Sequence, residues 1–203
     1  MNAAEAENRI LVVVLAGIVS WSCMLAGSSQ VSSVRTVPTC IGGVCLRKAT
    51  MESIVSEFGI GYAVSSRPYQ FRCYRDPQAD VFLSVVSSSF GSGEVEAVLL
   101  TDHTPSCRDS KEASVRLVGL STPEGIRLGS ERGEVVRILG EPNQSSPGDQ
   151  WDRLGLDGQL KDPMPFGDTI LRYFSEEDPS SPSFVVFLLA DRVSAILING
   201  ARE

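Results

Sequence analysis

One glycine-punctuated passage, EGIRLGSERGEVVRILGEPN at residues 124–143, has a looser counterpart upstream, GGVCLRKATMESIVSEFG at residues 42–59. Gly43 falls on Gly125 and Leu46 on Leu128. After a slip of one residue, Ile54 and Val55 fall on Val135 and Val136, Phe58 on Leu139 and Gly59 on Gly140. Each copy offers a polar helix start, Thr50 or Ser130, followed by acids in the first turn (Glu52; Glu131 and Glu134) that complement a helix N-terminus. Met51, Ile54, Val55 and Phe58 recur at helical spacing, so a short helix closed by glycine is predicted in each copy. The likeness continues downstream: EVEAVLLT (94–101) lies on RVSAILIN (192–199), each preceded by an apolar strand-like run, and FRCY lies on LRYF. Each half therefore predicts helix, strand, strand, strand.

A repeat of this kind constrains the fold more than any bulk property. An antiparallel meander with one apolar face needs a cover, and the helical segment of each copy is the available one. The expected fold class is α+β: a tandem repeat of a helical segment packed on a three- to four-stranded antiparallel sheet. Residues 30–110 would form the first repeat and residues 111–203 the second. The copies differ between helix and first strand, where the first has the short connection 60–70 and the second the long loop 141–170. That loop is rich in Gly, Pro and Asp and carries Trp151, the only tryptophan beyond the first thirty residues. Trp151 reads either as a partner-binding aromatic on a functional loop or as a plug between helix and sheet; the partner site is assigned to it.

The first 29 residues belong to targeting. The apolar run ILVVVLAGIVSWSCMLAG (10–27) follows Arg9 and precedes the small polar stretch SSQVSS, the layout of a secretory signal. Its length is close to that of a membrane span, so an uncleaved signal anchor is the alternative. Cys23, in VSWSC, lacks the residues expected before a lipidated cysteine, which makes lipidation the lesser route to a membrane. The remaining cysteines, Cys40, Cys45, Cys73 and Cys107, are even in number in an exported chain and imply two disulfides. Three pairings are open; Cys40 with Cys45 and Cys73 with Cys107 keeps both bonds within the first repeat.

With 18 basic against 25 acidic residues and a net charge of -7, the chain is unsuited to nucleic acid or anionic membrane surfaces. The single histidine, His103, leaves any zinc site to cysteines, and these show no C-x2-C spacing. No cofactor or metal is expected. In TDHTPSC (101–107), Asp102, His103, Ser106 and Cys107 are adjacent in sequence. A catalytic triad is assembled across a fold, so the stretch reads as a polar linker. SEEDPSSPS (175–183) lacks the ligand spacing of a calcium loop and fits a solvated hairpin tip.

The stretch GIRLGSERGEVVRILGEP resembles the glycine, Leu-Gly, small polar, Val, Leu-Gly, any, Pro signature of two related groups. These are the tandem β-lactamase-inhibitor-protein fold and the single-module SmpA/OmlA outer-membrane lipoproteins of the barrel assembly machinery. The resemblance covers both halves, about residues 39–200, with departures: Arg47 stands where the second motif glycine falls in the first copy, and no proline follows Gly59. It implies an exported, periplasmic or secreted, non-catalytic protein-binding module whose partner is another envelope or extracellular protein. No binding residue carries over. Binding would use the concave side of the sheets or the Trp151 loop; the alternative is a small exported hydrolase using the loop carboxylates Asp149, Asp152 and Asp157.

Overall fold

The structure is a computed structural model and describes residues 37–66, 69–88, 93–103, 110–150, 166–178 and 180–200. Strands β1 (Cys40–Ile41) and β2 (Val44–Cys45) form a tight hairpin that turns Ile41, Val44 and Leu46 into the core. Thr50 then caps helix α1 (Met51–Phe58) reciprocally: the Ser53 N–H donates to the Thr50 hydroxyl at 3.3 Å and the Thr50 N–H donates to the Ser53 hydroxyl at 3.0 Å. Ile54 and Phe58, one turn apart, are the residues α1 buries, and the Gly59 N–H closes it on the Val55 carbonyl. Four antiparallel strands follow, β3 (Tyr62–Ser66), β4 (Tyr69–Arg75), β5 (Phe82–Ser88) and β6 (Val95–Thr101).

A short strand, β7 (Lys111–Glu112), pairs in parallel with the end of β4. Helix α2 (Arg132–Leu139) buries Val135 and Leu139 and closes through the Gly140 N–H on the Val136 carbonyl. Its cap position is Glu131, which makes no side-chain capping bond. Ser130, the residue expected there, accepts the Arg127 N–H on its hydroxyl and the Val193 N–H on its carbonyl, so it is committed to the loop and to the sheet. After α2 come β8 (Gln144–Pro147), β9 (Thr169–Tyr173), β10 (Ser183–Leu189) and β11 (Arg192–Asn199).

All but the first hairpin join one nine-stranded sheet in the order β3-β4-β5-β6-β11-β10-β9-β8, with β7 beside β4. This corrects the expected fold class. The molecule is mostly antiparallel β-sheet, not two helices each packed on a small sheet of its own. β6 pairs with β11 from Ala97↔Asn199 to Thr101↔Ala195, so the strands of both halves share one hydrogen-bonded layer. Among the described residues there are two helices of eight residues each. The reason lies in the two joining strands. VEAVLLT and RVSAILIN are apolar on consecutive positions, which suits a strand buried on both faces and paired on both sides, not the edge of a small sheet.

Each helix-to-strand connection also holds a strand that apolar patterning does not reveal. Tyr62–Ser66 is short, with a Tyr-Ala-Val alternation confined to three residues, and Gln144–Pro147 is short and polar; they are held at the two ends of the sheet by backbone pairing with β4 and β9. One face of the sheet carries Leu83, Val98, Leu100, Phe184 and Ile196 against Ile54, Phe58, Val135 and Leu139 of the helices. Among the described residues no helix is long and apolar enough to cross a membrane; the apolar run 10–27 lies outside them.

Candidate functional site

Cys40 and Cys45 face each other across the first hairpin and are disulfide-bonded, with Cα atoms 4.1 Å apart. Cys73, fully buried on β4, is also disulfide-bonded, to a cysteine outside the described residues. Cys23 and Cys107 both lie outside them, as do Trp151, Asp152, Asp157 and Ser106. Asp149 is exposed in the turn after β8. Asp102 accepts a short hydrogen bond from His103 Nδ1, and both side chains are more than a third exposed at the end of β6. At the 175–183 tip, Asp178 accepts from the hydroxyls of Ser180 and Ser181 and from the Ser180 N–H, which hold its carboxyl below the ordinary range. Its oxygens are thus engaged within a turn of their own. Among the described residues no three His, Cys, Asp or Glu side chains gather as a metal site would require.

Cross-strand register assigns the residues of the face opposite the helices. Phe187↔Ile170, Val185↔Leu197, Leu197↔Leu99, Leu99↔Ser84, Ser84↔Cys73 and Cys73↔Tyr62 run along it from β9 to β3. Over the central strands this face is closed: Leu99, Ile170, Val185, Phe187, Ala195, Leu197 and Phe166 form a second cluster with at most 4% of any residue exposed. Over β6, β10 and β11 the side chains of this cluster are therefore covered.

At the β3–β4 end the same face opens. Tyr62 and Val64 on β3 and Tyr69 and Phe71 on β4 are all half-buried, with the Tyr69 and Phe71 rings edge to face at 6.5 Å. They share one face because Val64 pairs with Phe71, Tyr62 with Cys73 two residues on, and side chains alternate along a strand. Ile60, just before β3, is 70% exposed. Beside it the Arg72 guanidinium donates to the Ile60 carbonyl at 2.6 Å, and among the described residues no carboxylate pairs with it.

This end of the sheet is held firmly from behind. Asp76, at the end of β4, is buried, and its carboxylate accepts the N–H groups of Gln78, Leu117 and Val118 and the Arg116 Nε–H. Burial works to raise its pKa, but the bonds donated by Val118, Gln78, Leu117 and Arg116 outweigh it and hold the carboxyl at about 2, against 3.8 ordinarily. The clamp ties residues 116–118 to the β4–β5 turn, while the Ser114 N–H binds the Phe58 carbonyl at the end of α1. A second, open cleft lies where α2 meets the β10–β11 turn. Its charges are matched among themselves, Arg192 with Glu131 at 2.8 Å and Arg132 with Asp191 at 3.9 Å.

Comparison of the chain with protein-family models, with curated proteins and with solved structures finds no match. The residues that sequence reasoning missed are Tyr62, Val64, Tyr69 and Phe71. Their signal is the alternation Y-A-V and Y-Q-F, visible in the sequence but placed on one surface only by the β3–β4 register.

Proposed function

We propose that the chain is an exported, non-catalytic protein-binding module of the cell envelope or extracellular space, with the β3–β4 end of its sheet as the contact surface. The supporting observation is the half-buried row of Tyr62, Val64, Tyr69 and Phe71 on a face that is sealed over the central strands. Aromatic side chains offer large contact area with few rotors to freeze, and they are enriched at the centres of interfaces. The Asp76 clamp keeps the surface preorganised, which lowers the ordering cost of binding. Export is supported by the apolar N-terminal run and by the bonded cysteines, since disulfides persist in oxidising compartments.

Two experiments test the reading. Alkylation of the protein taken from its native host should find Cys40, Cys45, Cys73 and Cys107 blocked until reduction; four reactive thiols contradict export. Immobilised chain should capture a protein partner from envelope or extracellular extract, and Phe71→Ala should weaken that capture at least tenfold, about 1.4 kcal/mol, with folding retained. Capture indifferent to Tyr62, Tyr69 and Phe71 substitutions would contradict the site.

A further inference from the structure

The sheet has two terminal strands, and they are guarded differently. In an antiparallel strand alternate residues direct N–H and C=O groups away from the neighbour, so an end strand carries a row of unpaired groups that invites another strand. Proteins blunt such rows with charge, proline, bulges or cover. β8 is four residues long and ends in Pro147. β3 reads Tyr-Ala-Val-Ser-Ser: it has no charge and no proline, and it pairs with β4 in unbroken register over all five residues from Tyr62↔Cys73 to Ser66↔Tyr69. Its one strand partner among the described residues is β4. Ala63 and Ser65 are small and exposed.

We infer that the free edge of β3 takes one further strand, an extended segment of the partner protein, so that binding proceeds by addition to the sheet. The inference rests on the protein-binding reading and names how the partner is held. Main-chain bonds to β3 supply affinity that is indifferent to sequence, and alternate side chains supply the choice of sequence. On the aromatic face the incoming strand lies beside Tyr62 and Val64, which calls for apolar or aromatic residues at every second position. Past the start of β3 it meets exposed Ile60 and the Arg72 guanidinium, which has no acid partner among the described residues and calls for one carboxylate on the segment. The occupant is therefore an extended segment of alternating apolar and polar residues with a single acid near the Ile60 end. A second copy of this chain fits less well. Five paired residues span about 17 Å, and a β3-to-β3 contact of that length covers on the order of a few hundred Å², against about 1,200 Å² or more for a stable dimer.

A random dodecapeptide library displayed on phage, panned against the full chain, tests this. Selected peptides should alternate apolar and polar residues and carry an acid whose contribution disappears in Arg72→Gln. Methylating alternate backbone nitrogens of a selected peptide should lower its affinity at least tenfold in one parity and hardly at all in the other. Because neighbouring residues of β3 point their N–H groups opposite ways, one of Ala63→Pro and Val64→Pro removes an outward group; the variant that keeps the wild-type melting temperature should lose the peptide. Should neither variant fold, the methylation series decides alone. Peptides indifferent to methylation in both parities, or recovery of none tighter than about 1 mM, overturn strand addition. A particle of doubled mass that returns to single mass in the outward-edge proline variant makes the occupant a second copy and overturns the peptide. Capture of a partner that depends on Phe71 but not on the edge proline or on methylation defeats this inference and leaves the protein-binding reading standing. If Phe71 is also irrelevant, both fall.

Discussion

The two ends of the sheet are built from similar material and treated in opposite ways. At the β8–β9 end the chain is packed backbone to backbone: a Cβ at Gly148 would fall inside the Gly167 carbonyl, and a Cβ at Gly167 inside that of Leu188. Phe166 lies edge to face on Phe187 at 5.2 Å, and both are buried. At the β3–β4 end the close approach is side chain to backbone, a Cβ at Gly61 meeting the Tyr74 ring at 2.6 Å, the aromatic residues of the row are half-buried, and the last strand has β4 as its one strand partner among the described residues. The difference separates residues that hold the sheet together from residues available to a partner.

The largest expected effect that could break this contrast is at the glycines. Gly148→Ala or Gly167→Ala forces backbone apart and should cost about 3 kcal/mol or more, seen as a lowered denaturant midpoint or loss of folding. Ala63→Thr at the other end should move it by no more than about 0.5 kcal/mol. Similar losses at the two ends would dissolve the distinction. Next in size, Phe187→Ala empties a buried site and should cost about 3–5 kcal/mol, a far greater stability loss than Phe71→Ala causes.

The Asp76 clamp adds to the contrast, because it ties the far end of β4 to residues 116–118. Asp76→Asn weakens four charge-assisted bonds and should cost about 1–3 kcal/mol in urea unfolding at neutral pH. The folded pKa of about 2 lies below the ordinary 3.8, so the contribution is complete above the latter and is lost as pH falls through this window. The variant should therefore show a flatter acid limb between those two values. The smallest effects lie at the helix starts: Thr50→Ala should cost about 1 kcal/mol by melting, and Glu131→Ala, with no capping bond to lose, a few tenths.

Helix positions, the glycines that close them and strands β4, β5, β6, β9, β10 and β11 were legible in the sequence, because each has a local signal of period, cap or apolar run. Even the irregular position at Arg47 has a backbone explanation. It sits at φ 58, matching φ 81 at the aligned Gly129, and its N–H bonds to the Val95 carbonyl as that of Gly129 does to Val193. Its guanidinium reaches the Ser180 and Gly200 carbonyls, which offsets part of the cost of a left-handed residue with a side chain. The single sheet was not legible, since whether β6 meets β11 or solvent depends on pairing between distant segments. The end strands were missed because the alternation in Tyr62–Ser66 spans only three residues and Gln144–Pro147 has none. The aromatic row needed the register between two strands, and Trp151 lies outside the described residues.

The most direct measurement sets Phe71→Ala beside Phe187→Ala in one experiment, reading melting temperature and affinity for the selected dodecapeptide on the same samples. Phe71→Ala should keep a melting temperature close to the parent's and lose affinity at least tenfold, while Phe187→Ala should melt markedly lower and bind normally wherever it remains folded. A Phe71→Ala protein that melts as low as Phe187→Ala yet binds undiminished per folded molecule would make the β3–β4 end part of the core and not a contact surface.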